Sequence, residues 1–453
     1  MTFANEYKGF HPPSPSWTPD RIDPSTTTPQ EFFEKYVATR IPCILTSPIA
    51  AANWKASTWT ADYLKRRSGD LTVKVERKHP STGGFGSGLD RLEMRFSDFY
   101  ERLENGDRDL YMTTQYTTLE DKEEAMHKVL EFLPHPLTNL VDDFPLRPEL
   151  MGHLVPQMVN LWMGSTDPAS PTSSGLHYDY QDNLYILLRG EKRFTLFSPR
   201  DTEHMYLQGN VARVCENGYI LYDGMQRRAD GAGIRDVAEW KVGVAERRLE
   251  EAEETGEGID EAEKELDAAM DELLVAGGED DDVVDDFDDF DDIEQLDDEN
   301  SDIKDVDEEE DDDEDDDNGP TFAQVPQKRF APPRSHTSKR PKSPPTDPPS
   351  FSTIPISELH TPSTKSLYPA LQNATKTSCT LASNEMLYLP AGWFHEVGSA
   401  GDQAGLHMAL NYWFAPPTQK VFAAPYEDGF WEDGFLDVKR ELETLQRERH
   451  SII

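Results

Sequence analysis

The chain has 453 residues, only 36% of them hydrophobic, and its 44 basic against 87 acidic side chains set a formal charge of −43. Its length would allow two or three domains, but this composition excludes a chain folded from end to end. The acid excess argues against a nucleic-acid partner, since phosphate contacts need clustered Lys and Arg, and no stretch approaches the roughly 18 apolar residues that a membrane-spanning helix takes.

The N-terminal MTFANEYKGFHPPSPSW has neither the basic start nor the apolar run of a secretory signal. Cys43, Cys215 and Cys379 are too few and too far apart for a disulfide framework, so a cytoplasmic or nuclear setting is expected. Residues 1–150 read as an α/β flank, with helical patterns at Glu31–Val37, Trp59–Arg67 and Phe96–Gly106 and a strand-like LTVKVER from Leu71. Residues 151–223 turn to strands in QMVNLWMG, GLHYDYQDNLYILLRG and KRFTLFSP, and Gly190-Glu191 between two of these runs predicts a tight hairpin.

Residues 224–349 interrupt this texture. Ile259, Ala262, Leu266, Ala269 and Leu273 recur at helical spacing, with Gly256 and Gly258 marking a break just before them. From Glu279 to Asp317, 27 of 39 residues are Asp or Glu and Lys304 is the one base, so this stretch carries more than half of the net charge. A basic, Pro-rich tract follows, and neither has an apolar pattern to offset the entropy of ordering it; both are expected to be disordered. The acid run reads first as a solvated spacer, with Phe287 and Phe290 as anchors if it meets a basic protein partner such as a histone. Residues 350–453 return to strands in SCTLASNEMLYLPAGWFHEVGS and GLHMALNYWFAPP, so the two strand-rich blocks are expected to form one barrel split by the insertion. Loop insertions cost little once their ends are close, so deleting Gly224 to Pro349 is expected to leave that barrel folded.

The chemistry-bearing pattern lies in the two strand blocks. His177 and Asp179 are two residues apart, and at strand period both side chains point the same way. His395 follows a Pro-Ala-Gly turn in the second block. Two imidazoles and one carboxylate make a facial triad that leaves positions open on iron(II). Taken singly, the bland alternatives are a hydrogen-bonded strand pair and a core histidine. His153, His204 and His407 have no metal spacing and stay outside the site.

The runs HYDYQDNLYILLRGEKRFTLFSP, EMLYLPAGWFHEV and ALNYWF, in that order, resemble the JmjC, cupin-like family of 2-oxoglutarate oxygenases. EFFEKYVATRIPCIL, WTADYLKRRSGDLTVKV and DLYMTTQ resemble the N-terminal part of the small JmjC protein hydroxylases, so the likeness covers most of the chain outside the insertion. The implied fold is mainly β, a double-stranded β-helix or cupin barrel with an α/β N-terminal flank. The implied metal is Fe(II) on His177, Asp179 and His395, with 2-oxoglutarate and O2 as cosubstrates. Lys192 is implied to pair with the distal carboxylate of 2-oxoglutarate, Ser174 to hydrogen-bond the same group, Asn183 and Asn411 to line the pocket, and Tyr111 to cap it.

The Gly-Leu-His lead, NLY, GEKRF and EMLYLPAGWFH resemble most the branch that hydroxylates lysines on GTP-binding proteins. The implied activity is therefore hydroxylation of a protein side chain, lysine favoured, with release of succinate and CO2. Histone demethylases of this family commonly have Glu where this chain has Asp179, and no reader or zinc-finger segment accompanies the barrel. The alternatives are a tRNA-base hydroxylase, which needs a basic rim, and a non-catalytic cupin scaffold using the acid run as an arm.

Overall fold

A computed structural model describes residues 3–49, 51–79, 84–85, 91–116, 127–167, 171–277, 348–361 and 363–451. Before the first strand-rich block come β1 (Ala4–Asn5), β2 (Asp20–Ile22), β3 (Cys43–Leu45), β4 (Thr72–Arg77), β5 (Leu92–Arg95) and β6 (Leu110–Met112). That block supplies β7 (Pro156–Ser165), β8 (Thr172–Ser173), β9 (Asp182–Arg189), β10 (Glu191–Phe197), β11 (Val211–Val214) and β12 (Ile220–Tyr222). The second supplies β13 (Thr377–Leu381), β14 (Met386–Leu389), β15 (Phe394–Ala400) and β16 (Leu406–Phe414).

Among the described residues these strands form three sheets: nine strands in the order β2-β3-β14-β9-β16-β7-β6-β4-β5, four in the order β13-β10-β15-β8, and three in the order β1-β11-β12. The fold is the mainly β cupin barrel that the family resemblance implies, with the two strand-rich blocks joined as their texture predicts. The α/β N-terminal flank also extends the barrel wall. Its fully buried CIL run, β3, pairs with β14 at one side of the large sheet, and β6 pairs with β7 at the other.

β16 shows how one strand serves two environments. All nine of its residues are buried. Met408, Leu410, Tyr412 and Phe414 join the main hydrophobic core with Phe32, Phe96, Phe99 and Phe144, while the alternate residues face the barrel interior. That interior holds a smaller apolar cluster, including Tyr185, Phe194, Leu196, Leu387 and Trp393. The site occupies the remainder of the same inner face.

The hairpin expected at Gly190-Glu191 is not formed. β9 pairs with β14 and β16, whereas β10 pairs with β13 and β15, so the chain changes sheet at Gly190. Gly190 has φ +84°, and a Cβ there would meet the Ala400 carbonyl at 2.6 Å and the His407 Cβ at 3.0 Å. Glycine is needed at this corner, but it turns the chain between sheets instead of back along one.

The helical stripe lies on Ile259–Ala276, which packs against Ile234–Thr255 through Ala245, Ala252, Ala262 and Ala269, all buried. Gly256 and Gly258 both have positive φ between the two helices. The first helix begins on the barrel body: the Trp240 indole donates to Asp433 at 3.0 Å, and just upstream Arg228 pairs with Asp230 and Asp428. A deletion starting at Gly224 therefore removes side chains that pack on the body. The acid run and the basic tract lie at 278–347, outside the described residues.

Candidate metal centre

His177 and Asp179 lie on the irregular passage between β8 and β9, and His395 is the second residue of β15. His177 and His395 face each other as an antiparallel bridge, exchanging backbone hydrogen bonds of 3.0 and 2.7 Å. Tyr178, between the first two, turns away into a cluster with Phe394 and Tyr222, as alternation requires. One ligand atom from each of His177, Asp179 and His395 lies within 4.8 Å of the others, and His395 Nε2 is 3.8 Å from Asp179 Oδ2.

Both imidazoles are oriented by backbone carbonyls. His177 Nδ1 is 3.1 Å from Gly175 O and His395 Nδ1 is 2.9 Å from Trp393 O. A carbonyl can only accept, so each Nδ1 carries the proton and each Nε2 keeps its lone pair for a metal. Burial, reinforced by the neighbouring His395 and opposed by Asp179, pushes the His177 imidazole down to about 4. It is thus neutral near pH 7, the form that binds metal.

Asp179 is oriented by a directed chain of amides. Trp162 Nε1 donates to Asn411 Oδ1 at 2.8 Å, Asn411 Nδ2 to Asn183 Oδ1 at 3.1 Å, and Asn183 Nδ2 to Asp179 Oδ2 at 3.0 Å. Asn183 and Asn411 therefore reach the carboxylate ligand, one directly and one through its neighbour. Asn160 stands opposite Asn411 on β7, buried, with neither amide atom hydrogen-bonded among the described residues. A buried carboxamide in that state suits a pocket that receives further polar groups.

At the other end of β10 and β15, Lys192 is 1% exposed, and its Nζ donates to Ser399 Oγ at 2.6 Å and sits 5.6 Å from the centre of the Tyr111 ring. Burial alone pulls its amine down to about 7. His407 lines the same end, its Nε2 2.9 Å from Thr166 Oγ1, and burial followed by the charge of Lys192 holds it well below the usual histidine range. Tyr111 thus lies beside Lys192 at this end of the barrel. Ser174 is placed differently: its hydroxyl accepts from Val397 N–H at 3.1 Å and lies 3.0 Å from Gly175 O, while the oxygen on Lys192 belongs to Ser399.

Two further features hold the ligand-bearing segments. Arg40 forms a two-pronged, buried ion pair with Asp182, one prong at 2.8 Å, and Asp182 also accepts from Tyr388 Oη at 2.6 Å and Ala391 N–H at 2.9 Å. Gly392 N–H donates to Asp179 O at 3.0 Å. The turn before His395 is thereby tied to the loop that carries Asp179. Arg40 follows a helical segment ending at Val37 and has no local pattern to mark it; Trp162 could have been found from its period-two place in QMVNLWMG.

Two imidazole nitrogens and a carboxylate on one face of a cupin barrel, with the buried Lys192 amine further along the same face, form the donor set of metal-dependent oxygenase sites. The cupin-like domain family matches residues 29–420, and the chain belongs to it, as a JmjC-type member. JmjC domain-containing protein 4 of Schizosaccharomyces pombe is 33% identical over 459 residues, covering 95% of this chain and 92% of that protein. Two shorter likenesses span about half of the other protein. The bifunctional peptidase and (3S)-lysyl hydroxylase JMJD7 of Homo sapiens is 28% identical over 187 residues, 38% of this chain and 52% of that protein. The tRNA wybutosine-synthesizing protein 5 of Homo sapiens is 28% identical over 163 residues, 35% of this chain and 50% of that protein. JmjC proteins typically use Fe(II) and 2-oxoglutarate, and the donor set here fits both.

Proposed function

We propose that this protein is an Fe(II)- and 2-oxoglutarate-dependent hydroxylase of a protein side chain, lysine favoured, with a GTP-binding protein as the substrate class. The observation that carries the oxygenase reading is Lys192, a buried amine whose one hydrogen-bond partner among the described residues is a neutral hydroxyl, on the inner face of the barrel that bears the triad. A buried ammonium without an anion is costly, so the pocket favours a guest that brings a carboxylate. His395 and Ser399 are four residues apart on β15, roughly 13 Å of strand. A five-carbon diacid together with the lysine side chain suits that span.

His177, Asp179 and His395 would hold the iron, and Lys192 with Ser399 the far carboxylate of 2-oxoglutarate. When bound, iron, 2-oxoglutarate and O2 supply the oxidation, releasing succinate and CO2 and leaving an alcohol on the substrate. The chain's own part is binding and orientation: the amide chain aims Asp179, the carbonyls aim both imidazoles, and the apolar cluster keeps water from the rest of the barrel. The relative named as a lysyl hydroxylase supports the protein-substrate reading, as does the acid excess that persists outside the acid run, which disfavours tRNA.

The test is anaerobic loading with iron(II) and 2-oxoglutarate, then succinate release on admitting O2, for wild type and His177→Ala, with GTP-binding proteins or tRNA added. Succinate from wild type alone, stimulated by protein and not by tRNA, is the expected result. Stimulation by tRNA alone would overturn the protein reading, and wild type matching His177→Ala would overturn the oxygenase.

Binding of 2-oxoglutarate should also take up protons. The free Lys192 amine, lowered to about 7 by burial, is largely neutral at pH 8, and a carboxylate beside it restores the ammonium. Affinity should therefore fall as pH rises above about 7, and calorimetry at pH 8 in two buffers of different ionisation enthalpy should show proton uptake that is absent at pH 6. Equal heats in the two buffers at pH 8 would show that the amine is already charged.

A further inference from the structure

We infer that Phe351, on the segment that returns from the insertion, is a positioning residue of the metal centre, holding the plane of the His177 imidazole. The inference rests on the metal reading of the triad. The Phe351 ring stacks on His177 with centroids 4.7 Å apart and planes inclined by 12°. The opposite neighbour of that imidazole is His395, at 4.3 Å and 55°. One face of His177 is thus covered by a flat apolar ring.

The backbone around Phe351 is anchored on both sides. Phe351 forms an antiparallel bridge with His177, as His395 does. Ser352 N–H donates to Leu176 O at 2.8 Å, Gln208 N–H to Phe351 O at 2.8 Å, and Thr353 N–H to Tyr206 O at 2.7 Å. The Ser352 hydroxyl adds a 2.6 Å bond to Met205 O. The returning segment therefore lies as a short strand between the His177 passage and residues 206–208, and the ring is delivered to the imidazole by main-chain pairing.

The two contacts of the His177 ring do different work. The Gly175 carbonyl sets the direction of the Nδ1–H bond within the ring plane. It leaves the ring free to tilt about that bond, and the stacked face of Phe351 opposes the tilt. Nε2 then stays directed at the point shared with Asp179 and His395. Losing a hydrogen-bonded outer partner of a metal-ligating histidine typically weakens metal binding 10–100-fold, which sets the scale for losing this stacking partner.

The exit of the insertion is accordingly part of the site. Phe351 meets the triad by stacking on and bridging His177, and acts through it.

The probe is cobalt(II), titrated anaerobically into the full chain without cosubstrate and read by its visible absorption bands. Phe351→Leu, which keeps apolar bulk but loses the flat face, should bind cobalt(II) about 10-fold more weakly with shifted bands. Phe351→Tyr should restore both affinity and bands. If the leucine variant does not fold, Phe351→Met makes the same comparison. Wild-type affinity and bands in the leucine or methionine variant would overturn the inference, as would a tyrosine variant no better than leucine. Failure of wild type itself to bind cobalt(II) in a His177-dependent way would instead sink the metal reading.

Discussion

Replacing Arg40 with Met should destabilise the protein by about 3–5 kcal/mol, the usual cost of removing one partner of a buried ion pair. Asp182 is 0% exposed and Arg40 3%, so no water is at hand to solvate the carboxylate left behind. Tyr388 Oη and Ala391 N–H would still donate to it, but neither supplies charge. Arg40 also sits at φ +60°, a left-handed conformation that a non-glycine residue adopts at some cost and that the Asp182 pair helps to hold. Methionine keeps that backbone cost and loses the compensation.

The damage should extend to the metal centre. Asp182 lies three residues after Asp179 and binds the turn at Ala391 that precedes His395. The double replacement Arg40→Met with Asp182→Leu should recover part of the lost stability, because it leaves no orphaned charge. Chemical denaturation of the metal-free protein measures both. A loss below about 1 kcal/mol for Arg40→Met would show that the carboxylate is solvated or protonated at little cost.

Lys192→Met should separate cosubstrate from metal. It removes the one basic side chain whose Nζ hydrogen-bonds Ser399 while leaving His177, Asp179 and His395 untouched. Truncating one member of a buried, hydrogen-bonded charge pair costs about 2–5 kcal/mol, so 2-oxoglutarate affinity should fall by roughly 30-fold or more. Stability should hold or rise, because the buried amine is a cost to the free fold. Iron(II) affinity should be unchanged. Titration of the iron-loaded protein with 2-oxoglutarate, followed by its metal-to-ligand absorption, reads the first effect and thermal melting the second. Unchanged 2-oxoglutarate affinity would remove Lys192 from the pocket.

How much of this was legible from residues alone depends on the range of the interaction concerned. His177, Asp179 and His395 stand out because a two-residue spacing on extended chain and a Pro-Ala-Gly turn are local patterns, and the structure brings the three together. Lys192 was marked by the family resemblance, since on alternation alone it reads as a solvent-facing strand residue beside Arg193. The helix stripe at Ile259–Leu273 was readable for the same reason, from period 3.6.

What chain-local patterns do not contain is which strand pairs with which. Gly190 looks the same to its neighbours whether the chain folds back or crosses to another sheet, and only the pairing of β9 with β14 and β16 and of β10 with β13 and β15 decides it. Ser174 matches the hydroxyl position that the resemblance implies for a cosubstrate contact, and packing against β15 gives its hydroxyl to the backbone of Val397 and puts Ser399 beside Lys192. Arg40 and Asp182 are 142 residues apart, and Phe351 reaches His177 from beyond the insertion. The sequence by itself determined the strand-rich blocks and marked three candidate ligands, because period and turn chemistry act over a few residues, and its family resemblance carried the barrel class. The tertiary structure decided which sheet each strand joins, what orients the ligands, and which hydroxyl meets the buried lysine, because hydrogen-bond partners and buried charges are chosen among residues that meet only when the chain is folded.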